Sequence, residues 1–365
     1  MQNTIKYKAL IFLTSIVVFS GCKKIFDLPE EKDYLSTKAS FVTKDFEPTL
    51  GRRFLYRGIF NADNSTFPMK FEIVNARYGD GRPADEIFTM KDVLVWTSEY
   101  TGRETSLEQI EAKRKLEKHP IIEMRPSGDL IIWETATSDI LTPRDSVTFP
   151  QDIRYFDVKV TNSGGTRIFK DLSLNPYIER PYLPAEDVNR FNGRPNTTTP
   201  GGKTLVRNYP SIFGMIGAST NRELKVNDGA NGTVYTYIRK FQGGNGHSLR
   251  FKFLDKDSVA MNPALFNETK WDELVHGFNK VMTNQYVQYD VAYPIPVAPI
   301  PTKYTAGGIE ANAGNEAFVR FAYSRIGFGG QRELGVLTQN FVIFEKGDWE
   351  IVFHFKTVNP KFDNE

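Results

Sequence analysis

Reactive side chains are few along these 365 residues: one cysteine, Cys22, and four histidines at positions 119, 247, 276 and 354. The histidines are widely scattered and none has a partner at zinc-ligand spacing, so neither a metal centre nor a cofactor is expected. No triad signature or phosphate loop appears, and no catalytic residue is assigned. Gly243-Gly244-Asn245-Gly246 is glycine-rich, but it opens an alternating strand rather than a helix. It therefore reads as a turn, with His247 as a loop residue, and not as a dinucleotide cradle. Asp255-Lys256-Asp257-Ser258 offers two carboxylates to Ca²⁺ but lacks the glycine and distal glutamate of an EF-hand loop, which leaves a charged turn. A glycosidase needs two carboxylates roughly 5 to 10 Å apart across a cleft. Asp80, Asp85 and Glu86 are the most concentrated loop acids of the first half, with a solvated turn as the alternative.

Aromatic residues make up 13% of the chain and include 28 phenylalanines, most at core-facing positions. Flat rings flanked by polar groups also suit sugars, whose C–H faces stack on them while amides and carboxylates read the hydroxyls. Trp96 and Tyr100 at a strand end, Trp133, and Tyr235 with Tyr237 are the candidates for such a ligand-binding platform, each weighed against burial in the core.

Cys22 closes a leader. Lys6 and Lys8 precede an apolar run from Ala9 to Phe19, and Ser20-Gly21 lead into the cysteine, the three-part pattern of a secretory signal. The run falls well short of the roughly 20 residues that span a bilayer. Phe19-Ser20-Gly21-Cys22 resembles the bacterial lipobox, which implies a mature chain that starts at Cys22 with a diacylglyceryl group on its sulfur. A simple signal peptide that leaves an incidental thiol is the alternative.

The leader carries two lysines and no acid, so the remaining chain has 44 basic residues against 44 acidic ones. That balance, without a basic stripe, gives no footprint for nucleic acid and no polybasic membrane patch. An apolar share of 40% suffices for cores stabilised by burial.

The elements that must position the candidates are mostly short strands. Phe54–Phe60, Lys70–Tyr78, Asp92–Tyr100, a hairpin over Ile121–Ala136 and another over Ile153–Leu174 fill the first half. Within Lys70–Tyr78 the apolar phase slips after Ile73, the mark of a bulge or a strand buried on both faces. Ser106 and Gln109 form a capping-box pattern for a weakly packed helix that ends at Pro120. In the second half Thr233–Phe241, the run through Leu249, Phe251 and Phe253, Tyr286–Tyr293, Ala317–Tyr323, Phe341–Phe344 and Trp349–Phe355 read as strands, the last with its apolar residues on one face. Trp271, Leu274, Val275, Phe278 and Met282 predict an amphipathic helix over 271–282. The expected molecule is all-β: a signal peptide (1–21), an acylated cysteine and tether (22–48), an N-terminal β-sandwich (49–180), a Pro/Gly/Thr-rich linker (181–202) and a C-terminal β-sandwich (203–365) with that helix. Ig-like and jelly-roll-like sandwiches both fit, with one or two short helices.

Four stretches carry a family resemblance: Cys22–Pro29, Phe67–Tyr78, Gly243–His276 and Gly347–Phe355. On these the chain is similar to an uncharacterised family of Bacteroidota surface lipoproteins, often encoded with starch-utilisation-type outer-membrane glycan-uptake systems. The resemblance transfers no catalytic residue. Lys23 stands where an aspartate retains some lipoproteins at the inner membrane, so outer-membrane placement is implied, on the cell surface or the periplasmic face. The expectation is a non-catalytic, lipid-anchored cell-envelope protein that binds polysaccharide or assists an uptake complex. A carbohydrate-active hydrolase is the first alternative, and a structural or adhesive surface protein the second.

Overall fold

A computed structural model describes residues 33–228 and 232–365. The leader, Cys22 and the first part of the tether lie outside the described residues. The molecule is mainly β, with several sheets and almost no helix. Strands of three residues or more are numbered here in chain order.

The first half holds β1 (Phe54–Tyr56), β2 (Lys70–Tyr78), β3 (Met90–Trp96), β4 (Arg114–Pro120), β5 (Ile122–Met124), β6 (Leu130–Ile132), β7 (Arg154–Asn162) and β8 (Gly165–Leu174). The hairpin β7–β8 is flanked by β2, antiparallel to β7, and by Asp45–Phe46, parallel to β8. A second sheet, β1-β6-β5, places Ile122, Leu130 and Ile132 in one core with Phe156, Val158 and Val160. That is the two-layer solution that alternating strands require, each sheet burying one face against the other.

The phase slip in β2 is a bulge: Asn75 and Ala76 stand opposite Phe156 alone, with Asn75 at φ 53°. A second bulge in β8 sets Lys170 and Asp171 opposite Asp157, with Asp171 at φ 61°. Between them sits Asp157, 3% exposed. Its carboxylate accepts from Asn75 Nδ2 (3.0 Å), Arg77 Nη1 (3.1 Å) and the Asp171 amide (3.1 Å). Burial would raise its pKa, but these donors together hold it below the ordinary aspartate value.

The second half holds β9 (Ser211–Phe213), β10 (Val234–Lys240), β11 (Ser248–Leu254), β12 (Phe278–Met282), β13 (Val287–Asp290), β14 (Ala317–Ile326), β15 (Arg332–Ile343) and β16 (Trp349–Phe355). One sheet runs β10-β16-β11-β13-β12. Facing it, the long hairpin β14–β15 carries β9 and Tyr182–Leu183 along β15. Phenylalanines fill the space between the sheets: the Phe251 and Phe321 ring centroids are 5.3 Å apart, Phe253 and Phe321 5.0 Å, and Phe253 and Phe353 5.6 Å. Tyr182 and Ala185, from the Pro-rich stretch, are buried in this same core. All seven residues of β16 are buried, where sequence phase predicts one apolar face. The strand is central, antiparallel to β10 and parallel to β11, so its outer face is covered by side chains from both neighbours.

Two helix expectations are corrected. Ser106 does cap a helix, its Oγ accepting from the Gln109 amide while Gln109 Oε1 accepts from the Thr105 amide. The helix, α1 (Leu107–Glu111), stops after little more than a turn, and Arg114–Pro120 instead pairs along the whole of β3. Ile110 is fully buried, so α1 is not a loosely packed surface helix. Over 271–282 there is a single 3-10 turn, Trp271–Glu273, followed by β12. Val275, His276 and Asn279 have φ near +50°, which a helix forbids, and the ladder with β13 takes the backbone of Phe278–Met282. The i, i+3, i+4 pattern arises from a loop wound against Tyr289, whose hydroxyl donates to the Trp271 carbonyl at 2.6 Å.

Gly277 separates the two readings experimentally. In a helix, Gly277→Ala would stabilise by about 1 kcal/mol. Here a Cβ would come within 2.6 Å of the Tyr289 side chain. The expected outcome is a loss of about 1–3 kcal/mol in urea unfolding, and a gain would refute the loop.

Candidate functional site

Alternation along β10 buries Val234 and Ile238 in the core and leaves Tyr235 and Tyr237 half-buried on the opposite, solvent-facing side. β10 is an edge strand, and the chain before it returns along that edge. Thr236 donates to the Asn208 carbonyl at 2.9 Å, and the Asn208 side chain is turned inward, donating to Asp187 Oδ1 and accepting from the Glu186 amide. With Asn208 pinned inward, period two puts Arg207 and Tyr209 on the tyrosine face. The result is a row of four rings: Tyr209 to Tyr235 at 5.7 Å, Tyr235 to Tyr237 at 6.2 Å, and Tyr237 to His354 at 6.2 Å. The Arg207 guanidinium lies 5.7 Å from the ring centroids of both Tyr235 and Tyr237.

Burial raises the pKa of Tyr209 and Tyr237, so their hydroxyls stay protonated at neutral pH and can both donate and accept. His354 lies across the ladder from Tyr235, with Nε2 3.3 Å from Ser258 Oγ. Burial, then the Lys356 charge, lowers its pKa, so it is a neutral ring at pH 7. Behind the row Glu350 is paired with Arg239 at 2.8 Å and Lys252 at 3.8 Å. Sequence reasoning finds Tyr235 and Tyr237 but misses Arg207 and Tyr209. Their only signal is a polar Asn208 between two residues of like phase, too short to register as a strand.

The other aromatic candidates are placed elsewhere. Trp96 and Tyr100 do meet, at 5.8 Å, but Tyr100 is buried at a junction between the two halves. Its hydroxyl lies 2.6 Å from His276 Nδ1, and His276 Nε2 lies 2.6 Å from the Glu104 carbonyl. The His276 ring stacks on Tyr304 at 4.4 Å, and Arg114, over the Trp96 ring, donates to the Tyr293 carbonyl at 2.6 Å. Glu104 is also buried. Desolvation alone would raise its pKa, but Lys113 and the Thr101 amide bring it down to about 2. Trp133 is 3% exposed, donates to Glu123 Oε1 at 3.0 Å and lies under Arg53. Burial thus removes Tyr100 and Trp133 from the solvent-facing set.

Of the loop acids, Asp80, Glu86 and Asp255 are engaged as well. Asp80 pairs with Arg82 at 2.6 Å. Glu86 accepts from Arg154 Nε and the Tyr78 hydroxyl, both at 2.6 Å, and its pKa is lowered, the opposite of what a general acid needs. Asp255 Oδ1 caps its own turn, accepting from the Asp257 and Val259 amides. Gly243–Gly246 is a turn, and the Gly246 and Ser248 amides donate to Asp348 Oδ1. Among the described residues no group of three His, Cys, Asp or Glu is arranged to hold a metal ion, and no helix is long and apolar enough to cross a membrane.

A protein-family model described as "Domain of unknown function (DUF5007)" matches residues 60–364. No curated protein and no solved structure matches the chain.

The junction at Tyr100 makes a pH test. Burial holds His276 below the ordinary histidine value, outweighing the Glu104 carbonyl and carboxylate that raise it, while Lys303 lowers it further. As pH falls through about 6.5, the unfolded chain takes up a proton there that the folded chain resists, so this group costs stability on acidification. His354 acts in the same direction, and His119, raised overall by Glu117 and Glu123 against the effect of burial, acts in the opposite one. The difference between variants isolates the junction. In urea unfolding at pH 7 and pH 5, His276→Gln is expected to lose less stability between the two than the parent, and an unchanged difference would refute this assignment.

Proposed function

That match makes the chain a member of the DUF5007 family, a membership that fixes no activity, and on the molecule's own features we propose a lipid-anchored, non-catalytic cell-envelope protein that binds polysaccharide. The observation that carries the binding part is the row Tyr209–Tyr235–Tyr237 with Arg207 on the open face of an edge strand. Rings backed by a rigid sheet offer stacking area at little ordering cost, and protonated tyrosine hydroxyls with a guanidinium read sugar hydroxyls at the rim. The anchor part rests on Phe19-Ser20-Gly21-Cys22. Acylation of Cys22 would hold the sheets beside the outer membrane, where many tethered copies meet one polymer and weak single sites suffice. On the resemblance of Cys22–Pro29, Phe67–Tyr78, Gly243–His276 and Gly347–Phe355, the setting is the Bacteroidota cell surface or its periplasmic side, beside a starch-utilisation-type uptake complex.

The test is a glycan array probed with the chain from residue 22 carrying Cys22→Ser, with product analysis in parallel, and mass spectrometry of residue 22 in the native protein. Retention without turnover is expected, together with an acylated cysteine. Removing two stacking rings, Tyr235→Ala with Tyr237→Ala, should weaken retention about ten-fold or more, from roughly 0.5–1.5 kcal/mol per ring. Turnover of any array member would overturn the non-catalytic reading.

A further inference from the structure

We infer that the polymer recognised by the tyrosine row is acidic, carrying carboxylates or sulfates, and that Arg207 selects it; this rests on the glycan-binding reading above. The argument begins with what Arg207 lacks. Its guanidinium lies over two rings, yet among the described residues it makes no ion pair, and none of its N–H donors has a protein acceptor. Arg239, which also acts on Tyr237, is in a different state: it is matched to Glu350, which Lys252 also approaches.

The formal charges that act on the tyrosines are cationic: Arg207 and Arg239 on the Tyr237 hydroxyl and Arg207 on Tyr209, while Asp255 and Lys356 oppose one another at His354, the far end of the row. A neutral sugar would use the rings and leave this guanidinium with only hydroxyl acceptors. A uronate or sulfate supplies a planar or forked anion that matches a guanidinium's paired donors, and the rings beneath limit the water competing for them. Nucleic acid is the other anionic polymer with stackable rings. Its phosphates need several cations to offset their density, and among the described residues the tyrosines are accompanied by Arg207, with Lys356 near His354 at the far end, on a chain with 44 basic and 44 acidic residues beyond its leader.

The probes are polygalacturonate and the same polymer fully methyl-esterified, which share a backbone and differ in charge, with oligo(dT) as the nucleic-acid arm. Binding is measured by affinity electrophoresis and calorimetry on the Cys22→Ser chain. The parent is expected to bind polygalacturonate roughly ten-fold or more tighter than the ester, the size of a charge-assisted contact. Arg207→Gln should bring the two to within about two-fold by removing only that contact, and Arg207→Lys should retain part of the preference. Tyr235→Ala should weaken binding to both polymers. Thermal unfolding of each variant checks that the sheet persists, and Arg207→Lys keeps the charge if Arg207→Gln fails to fold. Equal affinity of the parent for acid and ester, or a preference that survives Arg207→Gln, refutes the inference while leaving glycan binding intact. Array binding confined to neutral glycans has the same meaning. Retention of no glycan at all removes the underlying reading, and tight oligo(dT) binding lost in Arg207→Gln assigns the row to nucleic acid instead.

Discussion

The ladder that β16 makes with both neighbours is the constraint on which the second half depends. Trp349–Phe355 lies antiparallel to β10 and parallel to β11, and every one of its residues is buried. Its inner side chains, Ile351, Phe353 and Phe355, complete the aromatic core against Phe321. Its outer side chains, Glu350, Val352 and His354, stand directly across from Arg239, Tyr237 and Tyr235. The strand therefore sets two things at once: the floor on which the tyrosines stand and the charge balance of the surface beside them. A strand buried on both faces tolerates glutamate and histidine only because each has a partner, Glu350 in Arg239 and His354 in Ser258.

The first half solves a related problem by deforming its strands. Asp157 would be an isolated buried charge in a regular sheet. Two bulges, one on each neighbouring strand, turn Asn75 and Asp171 into the left-handed region and aim an amide, a guanidinium and a backbone N–H at its carboxylate. The junction around His276 follows the same rule with neutral partners. Asp157 and His276 are thus placed where the backbone departs from ideal geometry, whereas Glu350 and His354 find their partners from a regular ladder.

Alternation in the sequence reveals which way side chains point and little else. Phe156, Val158 and Val160, or Leu249, Phe251 and Phe253, announce an inner face, and the phase slip after Ile73 announces the bulge at Asn75. Partner choice leaves no such trace. That β16 separates β10 from β11 depends on contacts about a hundred residues apart, which periodicity cannot express. The stretch from Trp271 to Phe278 misleads because a loop wound around one tyrosine repeats at nearly the helical interval, and its positive φ values fall on Val275 and His276, residue types that give no warning. The site is half legible for the same reason. Tyr235 and Tyr237 lie on a long alternating strand, whereas Arg207 and Tyr209 reach them through a single bridge at Asn208.

The order of strands in that sheet also bears on how the chain can be made. β10 and β11 are consecutive, antiparallel in the finished sheet and joined by a glycine turn, so on leaving the ribosome they meet every local requirement of a hairpin. The strand that belongs between them has yet to be synthesised. Completion of the sheet therefore awaits β16, any hairpin that β10 and β11 form first has to part to admit it, and until then the tyrosine row has no backing. The largest sheet among the described residues thus cannot lock until a strand about a hundred residues downstream arrives, a non-local closure of the kind that slows folding.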